Sequence, residues 1–306
     1  MAQKPPAKTN PAKTATGRPA GLFTWIAVGL VVVVVAALVI IKVVGGSPTT
    51  AQTSTFQATD STTVAELTTV PASVFNTVGI NSPVAQVTAP IVLKKQPALT
   101  AKSASGTTLP EVFYLGAEYC PFCAAQRWPT IVALSRFGTW KNLGNTTSSS
   151  IDYAPNPPTF TFSKATYTSK YLVFKSVEET TNVYNSTTGN YGKLQTPTKA
   201  EQAVFTKYDT PKYVPGMTAA NTGSIPFISL GNQLLVSGAS YGPLTLSGLS
   251  RSSIAAALQD TTSPVSDAII ASANYLTASF CTLTHQQPSA VCTSPGVLAA
   301  KKAMKL

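Results

Sequence analysis

The chain has 306 residues, of which 22 are lysine or arginine, 11 are aspartate or glutamate and only one is histidine. Charged residues make up 11% of the chain, less than half of the roughly 25% that is typical of soluble domains. The hydrophobic share of 44% is enough to build a core, which excludes a chain that is disordered throughout. A single histidine excludes a multi-histidine metal site, and four cysteines are too few for a domain built mainly on disulfides.

The net charge of +11 raises nucleic acid and anionic membranes as partners. Residues 1–20 contain four basic residues and no acid among Pro, Ala and Thr, which predicts a disordered basic tail in the cytoplasm. Beyond residue 46 the charges are scattered, without the basic stripe or cluster of a nucleic-acid-binding surface. We therefore predict no nucleic-acid partner.

Residues 22–41 are apolar and uncharged, and as a helix they would span the roughly 30 Å hydrocarbon core of a bilayer. A cleaved signal peptide, the alternative, has a shorter apolar region of about 7–15 residues and a small-residue cleavage site. The basic residues before the run and the uncharged segment beyond Lys42 place the N-terminus in the cytoplasm. We predict a single-pass protein of the cell membrane, with a transmembrane helix over 21–44, a flexible linker over 45–61 and an extracytoplasmic main domain.

The main domain is predicted over 62–296 and a basic C-terminal tail over 297–306. In chain order, the patterns first predict short helical turns in 61–79, an edge strand in 83–110 and a strand over 111–116. A helix from Cys120 to Gly138 and strands at 159–162 and 171–174 follow. The last predicted elements are a helix over 198–208 with a capping box of Thr198 and Glu201, a hairpin over 224–238 with a two-residue turn, and helices over 251–259 and 264–283.

The motif Cys120-Pro121-Phe122-Cys123 lies where the strand over 111–116 gives way to a helix. The first-turn amides and the helix dipole would stabilise a thiolate on Cys120, and Pro121 suits the first helical position. A two-residue spacer lets Cys123 attack a mixed disulfide formed on Cys120, so we assign Cys120 as nucleophile and Cys123 as resolving thiol. The alternative is a structural disulfide. A Cys-x-x-Cys among alternating strands and helices indicates a thioredoxin-like α/β fold, a mixed sheet with flanking helices.

Three further residues are assigned to substrate binding. Pro226 follows Ile225 at the start of a strand, which is unusual unless the peptide bond is cis and the strand edge is functional. In thioredoxin-like folds such a proline lies against the Cys-x-x-Cys turn and leaves backbone groups for the substrate. Tyr119 precedes Cys120 and, with Trp128, would form an aromatic platform, although aromatic residues beside a helix also serve as core.

Glu118 is a candidate proton relay, or a like charge that raises the pKa of Cys120. An exposed loop carboxylate without a role is the alternative. Cys281 and Cys292 are predicted to form a structural disulfide, with a second redox-active pair as the alternative. A zinc site made from all four cysteines is less expected, because structural zinc usually draws on two closely spaced pairs. We predict no metal and no cofactor.

The string GAEYCPFCAAQRWPTIVALSRFG, together with the later SIPFISLGN, SGASY and NYLTASFC segments, resembles a family of membrane-anchored exported proteins described as a domain of unknown function. The resemblance covers residues 62–296 and implies a thioredoxin-like fold that carries the Cys120 and Cys123 pair. Tyr119 stands where thioredoxins usually have Trp, and Pro-Phe separates the cysteines.

These features predict a membrane-anchored extracytoplasmic thiol–disulfide oxidoreductase. Its partners would be exported cysteine-containing proteins or a membrane redox partner. The alternative is a non-enzymatic exported scaffold or binding domain of the same fold with two inert disulfides.

Overall fold

The computed structural model describes residues 56–82 and 85–306. The predicted basic tail, the predicted transmembrane helix and most of the predicted linker lie outside these ranges. Within them, no helix has both the length and the apolar character needed to cross a bilayer. The described residues form one compact unit of mixed α/β structure.

The helices, in chain order, are α1 (Ser61–Thr68), α2 (Ala72–Val78), α3 (Pro121–Ser135), α4 (Lys199–Tyr208), α5 (Arg251–Ala257), α6 (Pro264–Leu283), α7 (Ser289–Cys292) and α8 (Pro295–Met304). The strands are β1 (Gln57–Ala58), β2 (Ile91–Val92), β3 (Thr100–Lys102), β4 (Thr108–Gly116), β5 (Gly138–Lys141), β6 (Gly144–Thr147), β7 (Pro158–Thr161), β8 (Thr166–Ser169), β9 (Val173–Glu178), β10 (Thr180–Asn185), β11 (Asn190–Lys193), β12 (Phe227–Leu230) and β13 (Leu234–Ser237).

The main sheet has the order β2, β13, β12, β4, and β4 pairs on its other side with β9 and β3. Only the β4–β9 pair is parallel, with Gly116 opposite Glu178, so the carboxyl ends of these two strands meet at one edge of the sheet. The remaining strands form a small sheet of β1, β6 and β7 and two antiparallel pairs, β5–β8 and the hairpin β10–β11. The predicted edge strand in 83–110 is confirmed as β2.

Both faces of the main sheet are buried, because apolar residues occupy successive positions of the central strand β4. Val112 and Tyr114 join the larger core with α3 and α6, whereas Phe113 and Leu115 join a smaller core with α4. Side chains alternate between the faces of a strand, so an unbroken apolar run serves two layers at once. The result is a sheet between two helical layers, with α3 and α4 on opposite sides.

The helix that follows the cysteine motif contains a proline in its interior. Pro129 lacks an amide hydrogen, so it leaves the carbonyl of Ala125 without its usual helical donor. The hydroxyl of the buried Tyr241 donates to that carbonyl at 2.9 Å. Tyr241 therefore supplies, from outside the helix, the hydrogen-bond donor that Pro129 lacks.

The predicted helix over 198–208 is confirmed as α4, and its predicted capping box of Thr198 and Glu201 is present. The hairpin of β12 and β13 differs in its turn. Gly231 and Asn232 both have positive φ, but strand pairing resumes at Leu230 with Leu234, which makes the loop three residues long instead of two. The amide of Gln233 closes this turn on the carbonyl of Leu230 at 2.9 Å.

Two predicted boundaries are wrong. The end of the predicted linker is structured, since Gln57–Ala58 pairs with β6 and Asp60 caps α1. Residues 297–306, predicted as a basic tail, belong mostly to α8. Val297, Ala300 and Met304 recur at helical spacing and are buried, which leaves the lysines for the other side of the helix.

We expect Tyr241→Phe to lower the free energy of unfolding by about 1–3 kcal/mol, because it leaves the buried Ala125 carbonyl without a donor. Pro129→Ala restores an amide that can donate to the same carbonyl. In that background, Tyr241→Phe should cost clearly less, as measured by chemical denaturation of the four proteins. An equal cost in both backgrounds would show that the two groups do not share this carbonyl.

Candidate functional site

Cys120 is the N-cap residue of α3, directly after the loop that leaves β4. Its extended backbone turns the side chain back over the first helical turn, and the amide of Cys123 donates to Cys120 Sγ at 3.4 Å. Pro121 occupies the first helical position, where no amide donor is needed. A thiolate on Cys120 would therefore lie at the positive end of the helix dipole.

The two cysteines of the motif are free thiols in different environments. Cys120 retains 6% exposure, whereas Cys123 has none. Hydrogen bonding from the Cys123 thiol, and then from its amide, lowers the pKa of Cys120 against the effect of burial. Burial and the hydrogen bond to Cys120 raise the pKa of Cys123. A lowered pKa on the more accessible sulfur is the arrangement that a nucleophile and a resolving thiol require.

The predicted Ile-Pro segment lies beside Cys120. The Cys120 thiol donates to the carbonyl of Ile225 at 3.7 Å, and the Ile225–Pro226 bond is cis. Buried Asp209 holds the neighbouring backbone: its carboxylate accepts from the Ser224 amide at 2.7 Å and from the Ser237 hydroxyl at 2.9 Å. The structure thus brings residues about 100 positions apart in sequence to the same sulfur.

A buried ion pair lies beneath the cysteine turn. The guanidinium of Arg127 donates to both carboxylate oxygens of Glu178, at 2.8 and 2.6 Å, and to the carbonyl of Ala117 at 2.8 Å. Both side chains have no exposure. Arg127 contributes to lowering the pKa of Cys120 and opposes the rise in the pKa of Cys123, whereas Glu178 contributes to that rise.

Glu118 is buried, with 5% exposure, so the alternative of an exposed loop carboxylate is wrong. Burial raises its pKa, while hydrogen bonding from Thr161 opposes the rise. The expected like-charge effect of Glu118 on Cys120 does not dominate, because the pKa of Cys120 is lowered. Its role as a proton relay stays a prediction.

Aromatic side chains surround the approach to Cys120. Tyr119 stacks on Tyr191 of β11, with ring centroids 4.2 Å apart and nearly parallel planes. Within the motif, Phe122 stacks on Tyr153 at 5.8 Å, and the two side chains are 38% and 42% exposed. Trp128 is not part of this surface, because it is fully buried and donates to the carbonyl of Pro158.

The other two cysteines are joined in a disulfide that links the end of α6 to α7. Both are buried, with 0% and 1% exposure, so an attacking thiolate has no direct access. A loop closed over 11 residues is expected to add about 2–3 kcal/mol of stability. Within the described ranges, no group of three or more His, Cys, Asp and Glu side chains is placed to hold a metal ion.

Arg127, Glu178 and Asp209 were not singled out from the sequence. A helical signal for Arg127 existed, since it lies one turn after Cys123 and therefore on the same face. No comparable signal existed for Glu178, whose position depends on the register of the β4–β9 pair. Asp209 acquires its two hydrogen bonds only in the folded protein, where the chain brings Ser224 and Ser237 next to it.

Residues 98–282 match a protein-family model with the description Domain of unknown function (DUF929), and this match covers more than half of the chain. The match includes Cys120, Cys123 and Pro226 and is shorter than the resemblance over 62–296. Neither the curated proteins nor the solved structures contain a match to the chain.

We expect Cys120 to be alkylated by iodoacetamide at a lower pH than an unperturbed cysteine, because its lowered pKa makes the thiolate available earlier. Cys123→Ala removes the thiol donor that contributes most to this effect, so the alkylation curve should move to higher pH. Cys123→Ser retains a donor and should stay closer to the wild type. Peptide mapping by mass spectrometry gives the curves, and coincident curves for the wild type and both variants would contradict this origin of the pKa shift.

Proposed function

The chain belongs to the DUF929 family, and we propose that it is a membrane-anchored extracytoplasmic thiol–disulfide oxidoreductase of thioredoxin-like fold. Its clients would be exported cysteine-containing proteins, and a membrane redox partner would renew the active pair. The observation that carries the proposal is the position of the Cys120 sulfur, 3.4 Å from the Cys123 amide and 3.7 Å from the Ile225 carbonyl. This position joins a stabilised thiolate to the backbone of the partly exposed Ile225.

The order of elements supports the thioredoxin-like interpretation. The chain runs from β4 through α3 to the parallel strand β9, then through α4 to the antiparallel hairpin of β12 and β13, and then to α6. The connections after β4 and β9 leave on opposite faces of the sheet. Open α/β sheets bind their ligands in the crevice at such a point, outside the carboxyl ends of the strands. The cysteine motif begins in this crevice.

The proposed exchange starts from the thiol pair. The Cys120 thiolate attacks one sulfur of a client disulfide, which forms a mixed disulfide and releases the other client sulfur as a thiolate that takes a proton from water. Cys123 then attacks the Cys120 sulfur and breaks the mixed disulfide, and its proton passes to the second client sulfur, which leaves as a thiol. Two electrons pass to the client, and the Cys120–Cys123 disulfide forms. The reverse sequence oxidises a client dithiol.

The contrast between the two cysteine pairs favours this function over an inert scaffold. Cys281 and Cys292 are sealed in the core, as expected of a purely structural bridge. Cys120 is also buried, but it retains 6% exposure and has a lowered pKa, and the exposed Phe122 follows it in the motif. A purely structural cysteine has no need for a stabilised thiolate.

The membrane location is supported by the sequence alone. The apolar run of residues 22–41 lies outside the described residues, and the linker that follows would hold the domain near the outer surface of the bilayer. An oxidising compartment is also where the disulfide of Cys281 and Cys292 would persist.

We expect the full-length Cys123→Ser variant to accumulate mixed disulfides with client proteins, because the resolving thiol is missing. The conjugates should stay in carbonate-washed membranes and disappear on reduction, as seen by non-reducing electrophoresis. Client peptides should be found attached to Cys120 by mass spectrometry.

Cys120→Ser and the double variant of both motif cysteines serve as controls and should trap nothing. A Cys281→Ala/Cys292→Ala change in the Cys123→Ser background should leave trapping intact. Absence of conjugates from the Cys123→Ser variant, or equal amounts with Cys120→Ser, would favour the scaffold. Release of the intact protein by carbonate would contradict the anchor.

A further inference from the structure

A second concave surface lies on the side of the sheet opposite α3. It is a cleft of about 960 Å³ between α4 and the segment from β9 to β11. Nine of its eleven lining residues are polar or charged by type, including Lys193, Lys199, Lys207 and Glu179, although much of the surface they present is the apolar part of their side chains. We call this surface the lysine cleft. It belongs neither to the cysteine turn nor to the aromatic surface around Cys120.

The three lysines of the cleft lack acidic partners. In the part of the chain that the structure describes, the ion pairs are Arg127 with Glu178 and Lys175 with Glu111, and neither includes a lysine of the cleft. Glu179 is the one carboxylate on the lining, and partial burial raises its pKa. The lining therefore carries three formal positive charges against one negative charge.

The position of Lys199 is unfavourable for the helix that carries it. Lys199 is the first residue of α4, where the positive end of the helix dipole disfavours a cation. The first-turn acid of this helix, Glu201, is engaged in the capping box with Thr198. The helix dipole therefore gives no reason for a lysine at this position, whereas an anion bound there would be favoured by both the lysine and the helix end.

The lysine cleft is connected to the cysteine motif through the backbone. Thr180 lines the cleft, and its carbonyl accepts from the amide of Glu118 at 2.9 Å, two residues before Cys120. The amide of Glu179 donates to the carbonyl of Gly116 at 2.8 Å. Both bonds lie where the carboxyl ends of β4 and β9 meet. One rim of the cleft is therefore hydrogen-bonded to the loop that leads to Cys120.

We propose that the lysine cleft binds an acidic segment of the client polypeptide near the cysteine that reacts with Cys120. This inference rests on the proposed oxidoreductase function for its biological sense, but the binding itself can be measured separately. The open cleft suits an extended chain. Its three ammonium groups are in no ion pair, although that of Lys207 lies over the Tyr208 ring, and they suit several carboxylates spaced along such a chain. On this proposal the carboxylate of Glu179 repels an acidic client segment, whereas the three lysines attract it.

The first experiment measures binding without thiol chemistry. The probe is a fluorescent, cysteine-free peptide of alternating glutamate and serine, about twelve residues long, which spans about 40 Å when extended. A second peptide has glutamine in place of glutamate. Fluorescence anisotropy with the full-length protein in detergent gives the affinities, at low and at high salt.

Charge changes in the cleft should move the affinity in both directions. Lys193→Gln/Lys199→Gln/Lys207→Gln should weaken binding of the acidic peptide by about tenfold, whereas Glu179→Gln should strengthen it by about twofold. The matched control Lys102→Gln/Lys141→Gln/Lys302→Gln removes the same charge from exposed sites away from the cleft and should retain wild-type affinity. High salt should weaken wild-type binding. Equal affinity of the cleft and control variants, or of the two peptides, would overturn the proposal.

The second experiment separates this proposal from the proposed function. Disulfide peptides with acidic or glutamine flanks are offered to the wild type, and mixed disulfides on Cys120 are followed with time. We expect the acidic flanks to react about tenfold faster, and the cleft variant to lose this advantage. Equal rates for both peptides would overturn the cleft and leave the oxidoreductase function standing. Binding without any exchange on Cys120 would refute the oxidoreductase function and, with it, the client role of the cleft.

Discussion

The ion pair of Arg127 and Glu178 holds the site together. It joins α3 to the end of β9, and its third hydrogen bond reaches the loop between β4 and the cysteine motif. Both charges are fully buried, so removing one partner alone would leave the other unpaired, at a cost of about 3–5 kcal/mol. The bidentate geometry fixes the helix relative to the sheet, and thereby fixes where the sulfurs lie.

The same pair gives the two sulfurs different electrostatic surroundings. Hydrogen bonding from Cys123 contributes most to the lowered pKa of Cys120 and Arg127 adds to it, while burial dominates at Cys123 and raises its pKa. Phe122 supplies no charge between the cysteines, so the nearest cation comes from the next helical turn. A fold that stabilises the thiolate of Cys120 also stabilises the reduced pair, which moves its potential in the oxidising direction. Full burial of the charged pair keeps this influence insensitive to salt.

Much of the fold could be predicted where the signal is local. The capping box at Thr198 needs only residues three apart, and it is confirmed. The last helix was missed because Lys301, Lys302 and Lys305 suggested a basic tail, although Val297, Ala300 and Met304 recur at helical spacing. Their burial depends on a surface formed by α2 and α6, which no local pattern shows.

In the site, too, only the residues with a local sequence signal could be predicted. Cys120 and Cys123 stand out because their spacing fits one helical turn, and Pro226 because a strand rarely begins that way. Glu178 could not be found, since 51 residues separate it from Arg127 and only strand register brings them together. The lysine cleft needs the same long-range information, because its lysines lie on β11 and at both ends of α4.

The most direct test of the central claim is a redox titration of the Cys120–Cys123 couple in glutathione buffers, read out by the mass of alkylated full-length protein. A reversible two-electron transition between about −270 and −180 mV is expected for a pair that exchanges with clients. A couple that stays oxidised far below about −300 mV would behave as a structural bridge and would contradict the catalytic role.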